Sequence, residues 1–480
     1  MAISSKTVIN SMIWKLLERF SSQFASFVIS IILARKLMPD DYGIIAIILV
    51  FINIANVIID GGFNTALIQK KDADQKDFST IFWFCLAMAF VMYLLLFFCA
   101  PLISSFYKND ILTPVLRVLG LNIFVYSFNS IQRAYVSRHM LFRKLFYVNA
   151  TAIILSGIIG IAMAYDGYGV WALVGQALAS SISCCVLMLF FVRWHPTFVF
   201  SRKRFVGLFD YGWKIFLTNF IIAVFIDIRS LVIGKLYRPA ALAFFDRGKS
   251  LPSLLMTNVT NSIDTVLLPA LSHEQDDKAR VKQMMRRSVQ VSYLFVAPLL
   301  IGFIFVAREV VLALLTEKWL PAVPFIQIFC IAFFLMPIQN INTTGIKSLG
   351  YSNITLKLEV TKKVIEALIL VVSFMINVYA VAWGIVLYNA ICIIINLAPS
   401  KKLVGYGLPE QLKDVMPTFL AAILMGCTVY SCSFLPMNNT LLLMLQIAVG
   451  AIVYCLLCYL LKLDSFTYIL NYMKDTIQRR

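Results

Sequence analysis

The stretch RKLMP at residues 35–39 closes a long apolar segment, and GKLYRP at residues 234–239 closes another. The dipeptide Trp14-Lys15, which opens the first of these segments, returns as Trp213-Lys214 at the start of the second. One match between apolar sequences arises easily by chance. Several matches that keep the same order are stronger, and they predict an internal repeat.

Composition defines the class of protein. Hydrophobic residues occupy 60% of the 480 positions and charged residues 14%, and the mean hydropathy is +0.84. Because a soluble domain carries about 25% charged residues, we predict an integral membrane protein.

Apolar segments of about 20 residues, the length that crosses the hydrocarbon core, recur from end to end. We predict about fourteen membrane-spanning helices, near residues 10–34, 43–60, 78–104, 112–132, 145–164, 169–192, 211–234, 240–268, 289–307, 321–341, 358–376, 378–397, 416–434 and 440–461. The longest gaps are too short for a soluble domain. The first segment contains Lys15, Glu18 and Arg19 and lacks a small-residue cleavage site, so we do not expect a cleaved signal peptide.

The repeat continues into the segments that follow each copy. Its further matches are Ile59-Asp60 with Ile263-Asp264, Ala66-Leu67 with Ala270-Leu271, and Pro114, Asn129, Ile131 and Gln132 with Pro324, Gln339, Ile341 and Asn342. An even number of predicted helices separates the copies, so the halves share one orientation and a pseudo-twofold axis along the membrane normal. The predicted fold is all-α: an N-lobe (residues 1–200) and a C-lobe (residues 201–402), each of six helices, then two C-terminal helices and a cytoplasmic tail (residues 403–480).

Lysine and arginine residues predict the orientation. With a cytoplasmic N-terminus, the inside loops hold most of them: Lys70, Lys71, Lys76, Arg138, Arg143, Lys144, Arg202, Lys203, Arg204, Lys278, Arg280, Lys282, Arg286, Arg287, Lys362, Lys363, Lys401 and Lys402. Both termini are therefore predicted to be cytoplasmic. The same asymmetry and anionic lipid headgroups account for the net charge of +18, which makes nucleic acid a poor candidate partner.

Cysteine and histidine do not indicate a metal or redox centre. All ten cysteines lie within or beside apolar segments, where cysteine is usually a small buried hydrophobe, and the three histidines fall in predicted loops. The stretch FFDRGKS at residues 244–250 ends like a nucleotide-binding P-loop, but Ala243 stands where that motif needs its first glycine. We predict no cofactor, no metal and no catalytic residue.

Polar residues at helical spacing predict a cleft between the lobes. The longest stripe comprises Asp246, Lys249, Ser250, Ser253, Thr257, Thr260 and Asp264. Shorter stripes comprise Asn53, Asn56 and Asp60; Lys15, Arg19, Ser22 and Ser26; Lys214, Thr218 and Arg229; and Asn122, Tyr126, Asn129 and Arg133.

Each intramembrane charge costs about 2.5–3.5 kcal/mol at a helix centre, so it is expected to face a partner or a wet cavity. Two interpretations stay open. The charges can be ion pairs between helices, such as Lys249 with Asp246, Arg229 with Asp227, and Glu18 with a nearby cation. They can also line a binding site, while Arg133, Lys15 and Lys214 have the further interpretation of anchors at the cytoplasmic edge.

The ordered motifs resemble those of a known family across nearly the whole chain. They are Leu33-Ala34-Arg35 with Pro39 and Asp41-Tyr42-Gly43; Asp60 with Gly62-Phe63 and Ala66-Leu67-Ile68-Gln69; Leu268-Pro269-Ala270-Leu271 with Gln275-Asp276-Asp277; and Glu317-Lys318-Trp319. This pattern is similar to that of the Wzx-type polysaccharide and O-antigen flippases of the multidrug, oligosaccharidyl-lipid and polysaccharide superfamily, and to their colanic-acid exporter branch.

The resemblance implies a flippase of the bacterial inner membrane that moves undecaprenyl-diphosphate-linked oligosaccharide to the periplasmic leaflet by alternating access, for lipopolysaccharide, capsule or exopolysaccharide. Membrane lipids, a glycan polymerase and a chain-length regulator are the implied partners. We expect Arg19, Arg229, Lys249 and Arg133 to bind the diphosphate or glycan. We expect Glu18, Asp60, Asp227, Asp246 and Asp264 to be polar cleft or gating residues.

Three alternatives remain at this stage. A multidrug or cation antiporter of the same fold would use a carboxylate-dominated pocket, which Asp227, Asp246 and Glu366 keep open. A peptidoglycan-precursor flippase differs only in the motif pattern. A membrane-embedded glycan polymerase or ligase would need a large periplasmic loop with arginine or histidine, which the chain lacks.

Overall fold

A computed structural model describes residues 5–192 and 194–467, apart from the side chains of residues 5–9, 257–266, Met12 and Ser352. The described residues form helices and no strands. The chain divides into two compact parts, residues 1–243 (unit 1) and residues 244–480 (unit 2).

Unit 1 is built from nine helices and the start of a tenth. They are α1 (Ser5–Lys36), α2 (Pro39–Asp60), α3 (Phe63–Gln69), α4 (Gln75–Tyr107), α5 (Leu112–Gly120), α6 (Asn122–Arg138), α7 (Phe142–Tyr165), α8 (Val170–Val192), α9 (Arg202–Leu236) and α10 (Pro239–His273).

Helix α10 continues into unit 2, which contains seven further α-helices and a short 3₁₀ segment. They are α11 (Lys278–Leu314), the 3₁₀ segment (Glu317–Ala322), α12 (Val323–Phe334), α13 (Met336–Ser348), α14 (Ser352–Phe374), α15 (Val378–Val404), α16 (Leu408–Cys432) and α17 (Asn439–Leu460).

Helices lie over all the predicted spans. Within the described residues, 12 helical stretches are long and apolar enough to cross a membrane, counting α2 with α3, α5 with α6, and the 3₁₀ segment with α12 and α13 as one stretch each. Helices α10 and α14 are not among the 12; α14 carries several lysines and glutamates near its middle. The chain is a multi-pass membrane protein of the predicted fold class, but the count of about fourteen spans is not confirmed.

The internal repeat is visible in the helices. Just as α1 ends at Lys36 before Pro39 opens α2, α9 ends at Leu236 before Pro239 opens α10. The fourth segment of each copy is broken in the same way, into α5 and α6 in one and α12 and α13 in the other. The predicted lobe boundaries at residues 200 and 402 follow this repeat and stay predictions, since backbone packing groups α9 with unit 1.

One side-chain contact occurs in both copies. The Asn129 amide of α6 donates to the Ser181 carbonyl of α8 at 3.2 Å, and the Gln339 amide of α13 donates to the Asn389 carbonyl of α15 at 3.0 Å. Asn129 and Gln339 are partners in the sequence repeat, so the repeat preserves a hydrogen bond between helices as well as helix lengths.

Many cations predicted in loops lie on helices instead. Arg202, Lys203 and Arg204 open α9, the cluster at residues 278–287 forms the first turns of α11, and Lys362 and Lys363 lie within α14. Of these helices, α11 has a polar side-chain cap that stabilises its extra turns. The Asp277 carboxylate accepts from the backbone N–H groups of Ala279 and Arg280, each at 3.0 Å.

In unit 2 a buried polar network attaches α16 to α11, α13 and α15. Asn342 and Gln411 exchange two amide hydrogen bonds of 3.0 Å, and Ser400 donates to Asn342 at 2.9 Å. The Asp414 carboxylate accepts from Arg286 at 2.7 Å and from the Tyr406 hydroxyl at 2.9 Å. Because every group finds a partner, the network holds α16 without leaving a bare buried charge.

The first turns of α2 and α10, which correspond in the repeat, meet inside unit 1. A Cβ atom built on Gly43, at the start of α2, would lie 1.9 Å from the carbonyl oxygen of Pro239. The obstacle is backbone, which cannot rotate away, so glycine is required for this close approach.

We therefore expect Gly43→Ala to destabilise the protein by about 1–3 kcal/mol, the usual cost of overpacking. The measurement is thermal unfolding of the purified protein in detergent. Gly207→Ala is the matched control, because nothing lies within 4 Å of a Cβ atom at that position. Equal stability of the two variants would contradict the close approach.

Candidate functional site

Unit 1 contains an open polar cavity of about 510 Å³. We call it the unit 1 cavity. The residues that line it are Glu18, Ser22, Asn56, Asn64, Ile68, Asn122, Tyr126, Asn129, Ser130, Arg133, Ala134, Ser137, Asn149, Ala152, Ile153, Ser180, Ser181 and Cys184. They come from six helices, α1, α2, α3, α6, α7 and α8. Five asparagines and five serines dominate, which is unusual for the interior of an apolar membrane unit.

Glu18 is the acidic residue of the lining. Its side chain is buried, and one carboxylate oxygen accepts a hydrogen bond of 2.7 Å from the Asn149 amide of α7. The other oxygen lies 3.3 Å from the Lys15 ammonium, whose side chain is 51% exposed. The predicted pairing of Glu18 with a cation of its own helix is therefore present, and Asn149 links the same carboxylate to α7.

Arg133 is the cation of the lining. Its guanidinium lies 3.8 Å from the Cys184 sulfur, and no carboxylate of the described residues lies within 4.0 Å of its nitrogens. Its roles as a cytoplasmic-edge anchor and as a binding residue both stay predictions. Its position places a positive charge in the cavity without a fixed counter-ion among the described residues.

Asp60 lies beside the cavity, at the end of α2. The Ser130 hydroxyl donates to its carboxylate at 3.4 Å, and the Asn64 amide donates in turn to Ser130. Gly61 and Gly62 follow with left-handed φ angles of 51° and 74°, which turn the chain from α2 into α3. Asp60 thus ends α2, and a hydrogen-bond chain joins it to the cavity wall.

The other charged residues singled out from the sequence do not line this cavity. Arg19 lies on α1, half-buried, and Asp227 and Arg229 lie on α9, where both take part in interactions. Asp246 and Lys249 lie on α10 in unit 2 and are also engaged. The side chain of Asp264 lies outside the described residues.

Three of the predicted stripes contribute to the cavity: the α6 stripe with all four of its residues, and the α1 and α2 stripes with one residue each. Ser22, Asn56, Asn122, Tyr126, Asn129 and Arg133 all line it. Asn64, Asn149 and the pair Ser180-Ser181 were missed. Isolated polar residues on α7 and α8, such as Asn149 in an apolar segment, were the available signal, but they form no stripe of their own.

An apolar groove of about 590 Å³ lies in unit 2, between α11, α16 and α17 with Leu255 of α10. Leucine, phenylalanine, valine and methionine side chains form most of its wall, and Gln446 is a polar exception. Its chemistry is that of a hydrocarbon site, opposite in character to the unit 1 cavity.

A basic cavity of about 700 Å³ opens where α3 and the start of α9 come together, next to Lys70, Lys203 and Arg204. Two of these cations are already paired: Lys70 lies 2.8 Å from the Asp77 carboxylate, and Arg204 contacts both Asp74 and Asp77. Burial alone would raise the pKa of Asp74, but hydrogen bonds from the Asp77 N–H and from Arg204 outweigh it and lower that pKa. These ion pairs join the end of α3 and the start of α9 to the start of α4, so we interpret this cavity as structural.

Water access distinguishes the cavity wall from the lipid face of the same helix. In a cysteine-free background, we expect Ser180→Cys on α8 to react with a charged thiol reagent at least about tenfold faster than Val186→Cys, since the reactive thiolate forms in water and not in hydrocarbon. Val186 is 44% exposed on α8 and does not line the cavity. Equal labelling rates would show that the cavity is not an aqueous compartment.

Comparison with known proteins identifies the protein family of this chain. The family model described as "Polysaccharide biosynthesis protein" matches residues 32–324. The chain is similar to the teichuronic acid biosynthesis protein TuaB of Bacillus subtilis, at 23% identity over 85% of each chain. It is also similar to the succinoglycan biosynthesis transport protein ExoT of Rhizobium meliloti, at 26% identity over 69% of this chain and 67% of that protein.

Among solved structures, the lipid II flippase MurJ in an inward closed conformation has the same fold. The TM-score is 0.75, with 14% identity over 95% of this chain and 99% of that chain. The family match covers more than half of the chain and agrees with the resemblance seen in the ordered sequence motifs. The chain therefore belongs to the polysaccharide biosynthesis protein family.

Proposed function

We propose that this protein carries undecaprenyl-diphosphate-linked oligosaccharide from the cytoplasmic to the periplasmic leaflet of a bacterial inner membrane. The observation that carries the proposal is the unit 1 cavity, in which polar side chains from six membrane helices surround about 510 Å³ of space. Buried polar groups are costly in hydrocarbon, so a cavity with this lining is suited to a hydrophilic solute in transit.

The substrate has three parts with different chemistry, and the chain offers a suitable environment for each. A polyisoprenoid tail fits the apolar groove of unit 2, where it loses no hydrogen bonds on leaving the bilayer. The diphosphate requires cations, for which Arg19, Arg229 and Lys249 are the proposed residues, whereas Arg133, in the unit 1 cavity, is proposed to bind the glycan. The glycan requires a wet polar surface.

The acidic residues are proposed to act on conformation. Asp60, hydrogen-bonded to Ser130 at the α2 to α3 turn, is placed to respond to movement of α3. Glu18 joins α1 to α7 through Asn149. Asp227, Asp246 and Asp264 are proposed as cleft or gating residues as the lobes alternately expose the substrate to each face.

The relatives support transport as the activity. The name of ExoT specifies transport in succinoglycan biosynthesis, and that of TuaB specifies teichuronic acid biosynthesis. Moving a lipid-linked glycan across the bilayer makes and breaks no covalent bond, so we propose a transporter without enzymatic activity. A glycan polymerase and a chain-length regulator are its proposed partners, and both termini are proposed to be cytoplasmic.

The lining does not favour the antiporter alternative. A pocket for cationic drugs would present free carboxylates, whereas the Glu18 carboxylate is already bound by Lys15 and Asn149. Arg133 adds a positive charge to the same cavity, which would repel a cation.

Deletion of the gene should abolish surface polysaccharide and cause lipid-linked oligosaccharide to accumulate on the cytoplasmic side. Polymer on the cell surface and lipid-linked intermediates in membrane extracts are the quantities to measure, with plasmid complementation as the control. Normal polymer together with increased drug sensitivity would reject the proposal in favour of the antiporter.

Lys249→Ala should abolish export while the protein remains in the membrane, because a cation that binds the diphosphate cannot be replaced by a methyl group. Lys249→Arg keeps the charge and should retain most of the export. Polymer yield and immunoblots of membrane fractions measure the two effects. Wild-type export by Lys249→Ala would leave this residue with a structural role only.

A further inference from the structure

Uncharged amide side chains in the wall of the unit 1 cavity have hydrogen-bonding groups that the protein itself leaves unused within its described residues. Asn56 of α2 and Asn122 of α6 line it, and neither side chain forms a hydrogen bond within the described part of the chain. An amide carries two N–H donors and an oxygen with two acceptor sites. These two residues therefore hold uncommitted donors and acceptors on facing helices.

Two further amides of the lining have fixed orientations. The Asn129 NH₂ group must be the donor to the Ser181 carbonyl, since a carbonyl can only accept. Ser130 donates its proton to Asp60, so it accepts from the Asn64 NH₂ group, which fixes Asn64 as well. The side-chain oxygens of Asn64 and Asn129 accept no hydrogen bond from the described residues.

A buried amide oxygen without a donor costs about 1–3 kcal/mol. The side-chain oxygens of Asn56 and Asn122 are covered in this conformation, as are those of Asn64 and Asn129. A ligand therefore reaches these oxygens when lining side chains turn, and it recovers that cost only if it brings donors. A diphosphate brings acceptors alone. A sugar hydroxyl donates one hydrogen bond and accepts others, which suits both the fixed oxygens and the uncommitted amides.

The charge of the lining also favours a sugar over a diphosphate as the ligand of this cavity. The lining holds one cation, Arg133, and one acid, Glu18, so it carries little net charge to balance a diphosphate. Eleven uncharged polar side chains, five asparagines, five serines and Tyr126, form the rest of its polar surface. Such a surface recognises polyols better than multiply charged anions.

We propose that the unit 1 cavity is a carbohydrate subsite, which binds a sugar of the transported glycan through the amides of Asn56, Asn64, Asn122 and Asn129. This inference rests on the proposed function and refines it: the diphosphate is bound elsewhere, and the cavity selects the glycan. Chains of the same fold that carry different glycans would then differ at these positions.

The test measures binding of two probes to the full-length protein in lipid nanodiscs by isothermal titration. One probe is undecaprenyl diphosphate. The other is the oligosaccharide released by mild acid from lipid-linked intermediates of the producing strain. Asn56→Ala and Asn122→Ala are suitable variants, because neither side chain forms a hydrogen bond within the described residues whose loss would disturb the fold.

Each variant should weaken oligosaccharide binding about fivefold to tenfold, as expected for the loss of one or two hydrogen bonds, and leave undecaprenyl diphosphate binding unchanged. Thr151→Ala is the matched control, since Thr151 is exposed on α7 and does not line the cavity. It should bind both probes like the wild type.

The remaining outcomes separate the two proposals. If the wild-type protein binds both probes and the two variants bind oligosaccharide equally well, the subsite is wrong and the proposed function stands. The subsite is also wrong if the variants lose undecaprenyl diphosphate instead. If the wild-type protein binds neither probe, the proposed function fails and the subsite fails with it.

Discussion

Hydrocarbon offers no hydrogen-bond partners, and this constraint governs the whole structure. Every backbone group in a span must be satisfied within its own segment, so the described spans are helical. Every polar side chain must face another polar group or a wet space. In unit 1 the second requirement gathers asparagine, serine and charged residues from six helices around one cavity. In unit 2 it produces a closed network between α16 and its neighbours.

Within the described residues, the two copies of the repeat meet this constraint to different extents. Gln132 and Asn342 are partners in the sequence repeat, and both are fully or almost fully buried. Asn342 exchanges two hydrogen bonds with Gln411 of α16, whereas Gln132 forms none with the described residues. No sequence match assigns α16 a counterpart in the first copy. The C-terminal helices therefore complete the second copy of the repeat and are more than an appendage.

Fold and function are specified by different residues. This chain shares its fold with a lipid II flippase at 14% identity, so packing preserves the architecture while most side chains change. We propose that the residues that select the glycan lie among those that line the unit 1 cavity. The contrast between an amide-rich cavity in one unit and an apolar groove in the other is suited to a substrate that is half glycan and half lipid.

The sequence by itself determined the class of protein, the approximate spans, the internal repeat and the family resemblance, because hydrophobic length and the order of motifs are local properties of the chain. It also identified the stripe Asn122, Tyr126, Asn129 and Arg133, because helical spacing places those residues on one face. Only the tertiary structure decided which stripes meet. It added Asn64, Asn149 and Ser180, which come from helices without a polar stripe, and it placed Arg19 and Arg229 outside the unit 1 cavity. Helical periodicity defines the face of a single helix, whereas a cavity depends on how several helices are rotated against one another, which side-chain packing sets.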